Sequence, residues 1–541
     1  MSFVINPGTV QTPLTAGGIA YGTGSQVKVN SAGTAGQVLL SNGASTPTWG
    51  TISSGAQSFV ATGSITAGVN VALNSNGTVS IVTGSVGAYT VTRSAGVSDS
   101  TILNSSQIDV AYDPVKNIVA VIYALSGSGY VNVIIGEISG SAITFPAGAY
   151  QISSSYNYGG VSVAYDGTAK CFVFGYSPVN SIYFRAGTYS GGTLTVGGVL
   201  VAFNSGTASQ LGMTYDSSAG GVVAAWAIGT TQMKANFLTT STTTITNQSV
   251  CSVSIGGTLN IPYQNGWGSL AYDETSLQTQ VYFTNTDGYI WYNLIKVTGN
   301  TISAASAQGG TAVIGSTYPQ IRCCYVKPFG GVVISYVLQG AGDLSGVFSR
   351  IGTVSSSTIT LSAVATISSG SNDYIGQGIA YNASTLQLIY FYYLQSDSTV
   401  RYKLGTFVGS TVTWGSQQSY LAASIVSNSK NLPAVYVSGS TKGIVQPYQD
   451  SPASNVYASF LNAALTTNYS NWIGLAAQTV TTGQTLNVTT IGGVNTSVTG
   501  LTIQSKYYCD PFGNFTTSST DNVEVGKAIG TTKMYVTNGA A

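Results

Sequence analysis

The sequence predicts an all-β protein whose body is a seven-bladed β-propeller. Three observations lead there: a Tyr-ended apolar run that recurs seven times, a nearly constant spacing between copies, and about four strand-like segments in each period. The runs are IDVAYD, VSVAYD, LGMTYD, GSLAYD, IRCCYV, QGIAYN and LPAVYV. Their anchors are Tyr112, Tyr165, Tyr215, Tyr272, Tyr325, Tyr381 and Tyr436, separated by 53, 50, 57, 53, 56 and 55 residues.

Each period repeats one pattern. The Tyr-ended run meets a turn such as DPVKN, DGTAK, DSSAG or DETSL, and an apolar strand follows, for example NIVAVIYAL or KCFVFGY. A second turn and two strands of alternating character complete the period. Two and four residues before the Tyr the side chains are mostly large and apolar (Val110 and Ile108, Val163 and Val161, Met213 and Leu211), whereas the residue just before it is small in most copies. Alternation of large and small faces suits strands that converge on an axis. No segment carries the 3.6-residue apolar period of a helical solenoid.

Composition narrows the function classes. The chain has 541 residues, of which 6% are charged, with a formal net charge of +1. Gly (67) and Tyr (35) are abundant, as short strands joined by tight turns require. There is no basic run of the kind that neutralises phosphates, so nucleic acid is not an expected partner. No apolar stretch approaches the length of a spanning helix, so membrane insertion is not expected. The opening MSFVINPGTV lacks the basic segment and apolar run of a secretory signal, which leads to the expectation of assembly in a reducing bacterial cytoplasm.

Catalytic and metal chemistry find little support. Histidine is absent, which removes the commonest general base and imidazole ligand. Cys171, Cys251, Cys323, Cys324 and Cys509 are irregularly placed and form no CxxC, so neither a disulfide framework nor a zinc site is expected. No cofactor, metal site or catalytic residue is assigned. The seven Tyr and the four Asp after them occur once per repeat, which fits scaffold: Asp caps the turn and Tyr fills the space between blades.

Residues 1–90 differ from the repeats. The run Gly33–Trp49, GTAGQVLLSNGASTPTW, resembles an element of tail-fibre and related virion proteins of tailed bacteriophages, and Leu14–Val27 resembles the segment that commonly precedes it. The stretch from Trp472 to Val536 is similar to a small β module at the ends of phage and other virion proteins. The resemblance implies a structural virion protein, a tail fibre or adhesin that contributes to host attachment. Its partners would be other tail or capsid proteins, further copies of itself as a homotrimer, and host surface polysaccharide. A capsid-decorating or tail-structural protein without a receptor role, and a polysaccharide depolymerase, are the alternatives.

The expected organisation is therefore an attachment or oligomerisation segment over 1–90, a propeller over 91–466 and a C-terminal β module over 467–541. Part of 78–93 is expected to complete the blade begun at Tyr436, because the strand count leaves one strand over there. Segment 1–90 has almost no charge and few large apolar groups, so its burial is expected to come from other copies or another tail protein. The turns between second and third strands carry aromatic and acidic residues suited to holding sugars: Asp287, Tyr289, Trp291, Asp343, Asp397, Tyr448 and Asp450.

Overall fold

A computed structural model describes residues 20–22, 27–29, 37–42, 45–51, 55–98 and 108–537, the last range interrupted at 126–128, 155–156, 179–180, 204–207, 260–269, 286–288, 307, 313–320, 339–345, 370–373, 395–398, 409, 422–430, 450–454, 518 and 520–521. The described residues are all-β. They form many small antiparallel sheets, and the only helical turns are 3-10 segments at Lys327–Phe329 and Tyr469–Asn471. No helix among them is long and apolar enough to cross a membrane.

The chain divides into two compact units, Met1–Gly87 with Leu465–Ala541, and Ala88–Ala464. Among the described residues the larger unit contains seven sheets in succession. The first runs Ile108–Asp113, Ile118–Ala124, Val131–Ser139 and Ala142–Thr144 in simple meander order. The following sheets begin with Asn157–Asp166, Ala208–Asp216, Leu270–Asp273, Ile321–Val326, Tyr374–Asn382 and Val435–Val437. First strands of successive sheets touch in order, and that of the seventh touches that of the first, so the series closes.

All seven anchor tyrosines lie on first strands in one register. Tyr112 faces Val119, Tyr165 Phe172, Tyr215 Val222, Tyr272 Thr279, Tyr325 Val332, Tyr381 Leu388 and Tyr436 Ile444 on the second strand. The Asp after the Tyr organises the turn. Asp166 Oδ1 accepts the backbone N–H groups of Thr168 (2.9 Å) and Ala169 (3.0 Å), and Asp113, Asp216 and Asp273 repeat the arrangement. Tyrosine hydroxyls then reach the turn of the preceding sheet: Tyr215 to Thr168 Oγ1 at 2.8 Å and Tyr325 to Thr275 Oγ1 at 3.0 Å.

The core lies between sheets. One apolar cluster fills each of the seven junctions. Between the first and second sheets Ile122 and Val133 pack with Val163 and Phe174, and between the seventh and first Val445 and Phe460 pack with Val110 and Val121. The seventh sheet is completed from far away in sequence. Its strands Val435–Val437, Gly443–Gln449 and Asn455–Thr467 continue onto Gly84–Arg93, and Val97–Ser98 also pairs with Asn455–Thr467. The strand counted as left over in 78–93 is this one.

In the smaller unit, one sheet takes its strands from both ends of the chain: Ala56–Val60, Thr485–Thr489, Trp472–Ala476, Asn70–Leu73 and Val79–Ile81. A second joins Val494–Asn495, Lys533–Val536, Val523–Gly530, Lys506–Cys509 and Phe515–Thr516. Trp472, 2% exposed, donates from Nε1 to Asn70 Oδ1 at 2.8 Å. This corrects the expected division, which kept 1–90 apart from 467–541. Residues 56–81 are too short and too poor in large apolar groups to bury a face alone, and the C-terminal strands supply the missing layer. Within the motif-bearing segment, Gln37–Asn42 and Ser45–Thr51 form an antiparallel hairpin.

Candidate functional site

A cavity of about 160 Å³ lies where the first strands meet, walled by six of the sheets and by the segment that leads into the seventh. Asp109, Ser162, Met213, Leu270, Arg322 and Ile379 stand for the first six sheets in order, and Pro433 for the approach to the seventh. Two of these are charged. Asp109 and Arg322 both lie three residues before an anchor Tyr, a position held by Ser162, Gly212, Ser269, Gly378 and Pro433 in the other repeats.

The carboxylate is held by three donors. Asp109 Oδ2 accepts from Ser162 Oγ (2.8 Å) and Val163 N (3.0 Å), and Oδ1 accepts from Val110 N (2.9 Å). Burial raises its pKa above the ordinary carboxyl value, while those hydrogen bonds and the positive charge of Arg322 oppose the shift.

Arg322 stands on the fifth sheet. Its Nε and Nη2 donate to Asn431 Oδ1 at 3.1 and 2.9 Å, and Nη1 donates to the Ile321 carbonyl at 2.8 Å. Asn431 passes the link on, donating from Nδ2 to the Ile108 carbonyl at 2.6 Å. Burial lowers the guanidinium to about 10, with Asp109 acting the other way. A polar chain thus runs from the fifth sheet through the approach to the seventh, to the first and on to the second. Beside it, burial pushes the Cys323 thiol up to about 12, which leaves it an unreactive small apolar group.

Backbone packing fixes the wall opposite. Leu432 N donates to the Gln377 carbonyl at 3.1 Å, and a Cβ on Gly378 would collide with the Leu432 carbonyl. Glycine is required there for close approach of the sixth and seventh sheets.

The expected sugar-holding turns fare differently. Asp287, Asp343, Asp397 and Asp450 lie outside the described residues. Tyr289 opens the strand Tyr289–Thr298, and its side chain is outside the description as well. Trp291 is half-buried within that strand and packs against Gly256. Tyr448 is a correction. It is 1% exposed, its ring stacked on Tyr457 at 5.6 Å with the Arg93 guanidinium 5.5 Å above it, so it offers no face to a sugar. Its ring packs between the sixth and seventh sheets because it sits on a second strand, within the apolar layer, instead of in the turn beyond.

Sequence reasoning passed over Asp109, Arg322 and Asn431. The signal was available for the first two: comparing the repeats at the position three before each Tyr isolates one acid and one base among small or neutral residues. Asn431 lies in a hydroxyl-rich approach segment that the repeat does not align.

No family model matches the chain, and no curated protein sequence matches it. Solved structures resemble it at low similarity. A protein from Lactobacillus plantarum has a TM-score of 0.41 and 9% identity, covering 60% of this chain and 86% of that one. A candidate 6-phosphogluconolactonase of Bacteroides fragilis (TM-score 0.38, 11% identity) covers 68% of this chain and 97% of that one. The fucose-specific lectin of Aleuria aurantia (TM-score 0.36, 12% identity) covers 71% and 99%. At these scores the likenesses bear on neither site nor activity.

Proposed function

We propose that this chain is a structural virion protein of a tailed phage, a tail-fibre-type adhesin whose larger unit is a seven-bladed β-propeller. The seven closed sheets are its blades, and the strand Gly84–Arg93 latches the last blade to the N-terminal side of the chain.

One observation carries the reading. In sequence the ring is an insertion: the unit of Met1–Gly87 and Leu465–Ala541 is interrupted by the whole of Ala88–Ala464. The hairpin over Gln37–Thr51, which bears the tail-fibre-like element, belongs to that interrupted unit. The tail-fibre-like element on the interrupted unit, with the ring inserted in sequence, supports the adhesin reading.

The reading is non-enzymatic. Asp113, Asp166, Asp216, Asp273 and Asp510 are engaged as turn caps, and Glu137 accepts from the Tyr189 hydroxyl. Carboxylates tied to backbone N–H groups are poorly placed to work as an acid and base pair on a sugar.

Labelling of tailed phage particles with antibodies against the purified chain, viewed by electron microscopy, tests the assignment. Label at the tail together with binding of the full-length chain to host cells supports it. Label on the capsid without cell binding points to a decorating protein, and release of reducing ends from host polysaccharide points to a depolymerase. Light scattering of the full chain reads the proposed homotrimer.

A further inference from the structure

We infer that the axial cavity is a binding site for a small zwitterion of the α-amino acid type, its carboxylate toward Arg322 and its ammonium toward Asp109. The inference goes beyond the adhesin assignment, since it concerns the interior of the ring and stands whether or not the protein is carried on a phage.

Size comes first. A cavity needs roughly 10–15 Å³ of water-accessible space to hold one water molecule. With about 160 Å³ the axial cavity holds a cluster of waters or one compact organic molecule. Asp109 keeps an intermediate accessibility, as a side chain lining a cavity does.

Charge decides the class. Among the described residues the wall carries one carboxylate and one guanidinium, on the first and fifth sheets, which in a closed series of seven are as far apart as two sheets can be. The charges of these two side chains sum to zero. A simple anion or a simple cation would add an uncompensated charge inside the ring, which is expensive in a low-dielectric interior. A zwitterion adds none and sets each of its ends against the opposite charge. Val110, Val161, Val163 and Met213 line the same space and suit a short aliphatic side chain.

The carboxylate has capacity for the ammonium. An ionised carboxyl group has about four acceptor positions, and Asp109 uses three of them, for Ser162 Oγ, Val163 N and Val110 N. Those bonds fix its orientation before any ligand arrives, which reduces the ordering cost of binding.

Isothermal titration of the full-length chain with each of the twenty L-amino acids, and with acetate and methylammonium as half-ligands, tests the inference. The expected result is saturable binding of at least one amino acid at one site per chain, with both half-ligands weaker by about tenfold or more. Asp109→Asn and Arg322→Gln should each weaken binding by a similar factor. Ala434→Leu, which keeps both charges and narrows the cavity from the segment that leads into the seventh sheet, should weaken it too and serves if either charge variant fails to fold. No binding of any amino acid at about 10 mM overturns the inference. So does binding that survives in Ala434→Leu and in either folded charge variant, or half-ligands that bind as well as the amino acid.

Discussion

Tyr89 offers a direct test of how the ring is closed. It lies on the strand Gly84–Arg93, which completes the seventh sheet, yet its hydroxyl reaches into the turn of the sixth, bonded to Thr385 Oγ1 (2.7 Å) and Gln387 Oε1 (3.2 Å) and accepting from Asn382 Nδ2 (3.2 Å). Burial pushes its pKa from 10.0 up to about 12, with the Thr385 and Asn382 hydrogen bonds acting against the shift. Because the folded pKa is raised, the stabilising effect is complete below pH 10 and is lost as pH rises from 10 toward 12. A shift of about two units corresponds to about 2.7 kcal/mol at most. Tyr89→Phe removes the hydroxyl and strands buried partners, costing about 1–3 kcal/mol at neutral pH. The difference in unfolding free energy between wild type and variant, from urea titrations of the full-length chain between pH 8 and 12, should therefore shrink steadily above pH 10. Every other tyrosine is common to both proteins, so the difference isolates this one. A gap that stays constant or widens across that range would refute the placement of the Tyr89 hydroxyl in the sixth-sheet turn.

Three further outcomes follow from the same structure. Asp166→Ala strands the N–H groups of Thr168 and Ala169 and the Thr240 hydroxyl, in a turn that is exposed beyond the buried Asp166 itself, and should cost about 1–3 kcal/mol in urea unfolding, whereas Asp166→Asn, which mimics the natural Asn382 turn, should cost less than about 1 kcal/mol; equal losses would argue against the capping role. Gly378→Ala should lower the melting temperature by several degrees because its Cβ meets the Leu432 carbonyl, while Gly415→Ala, whose nearest neighbour is the Leu404 carbonyl at 3.5 Å, should melt within about a degree of wild type. Asp109 has a raised folded pKa, so its contribution is present below the ordinary carboxyl value of 3.8 and declines as pH rises through the raised one; the stability of Asp109→Asn relative to wild type should accordingly increase from pH 3 to pH 7, and a decrease would contradict the burial of that carboxyl beside Arg322.

Much of the ring was legible because its first two strands pack on both faces, and packing on both faces writes itself into sequence. Tyr165 with Phe172, or Tyr381 with Leu388, can be read as paired positions from the repeat alone. The outermost strands were not legible. Ala365–Ser369 and Gln418–Leu421 pair with third strands by backbone hydrogen bonds, and their Ser, Thr and Gln leave little apolar signal. Pairing of Ala56–Val60 with Thr485–Thr489 escaped for a different reason, since nothing local in a strand names a partner more than 400 residues away. At the axis, Asp109 and Arg322 were hidden by the very regularity that revealed the fold: averaging the repeats emphasises what seven copies share, while a site is what one or two copies do differently.

Closure of the ring across such distances is cheaper than it looks. The Asn431 to Ile108 hydrogen bond joins residues 323 apart, against a separation of 53 between the first two anchors. Loop-closure entropy grows as about 1.5 RT ln n, so the longer loop costs about 1.6 kcal/mol more than a single-repeat loop. Burial of Val445 and Phe460 against Val110 and Val121 at the seventh-to-first junction offsets that several times over, since each large side chain removed from water contributes about 1.5–3 kcal/mol. The cost falls on rate instead of stability: the junction must wait for sheets at opposite ends of the ring to meet, and non-local pairing of this kind slows folding. Placing Gly84–Arg93 in the seventh sheet adds backbone pairing to that same slow step. Once made, the junction is held by a core cluster, a strand ladder and the polar chain through Asn431, and opening it requires all three to break together.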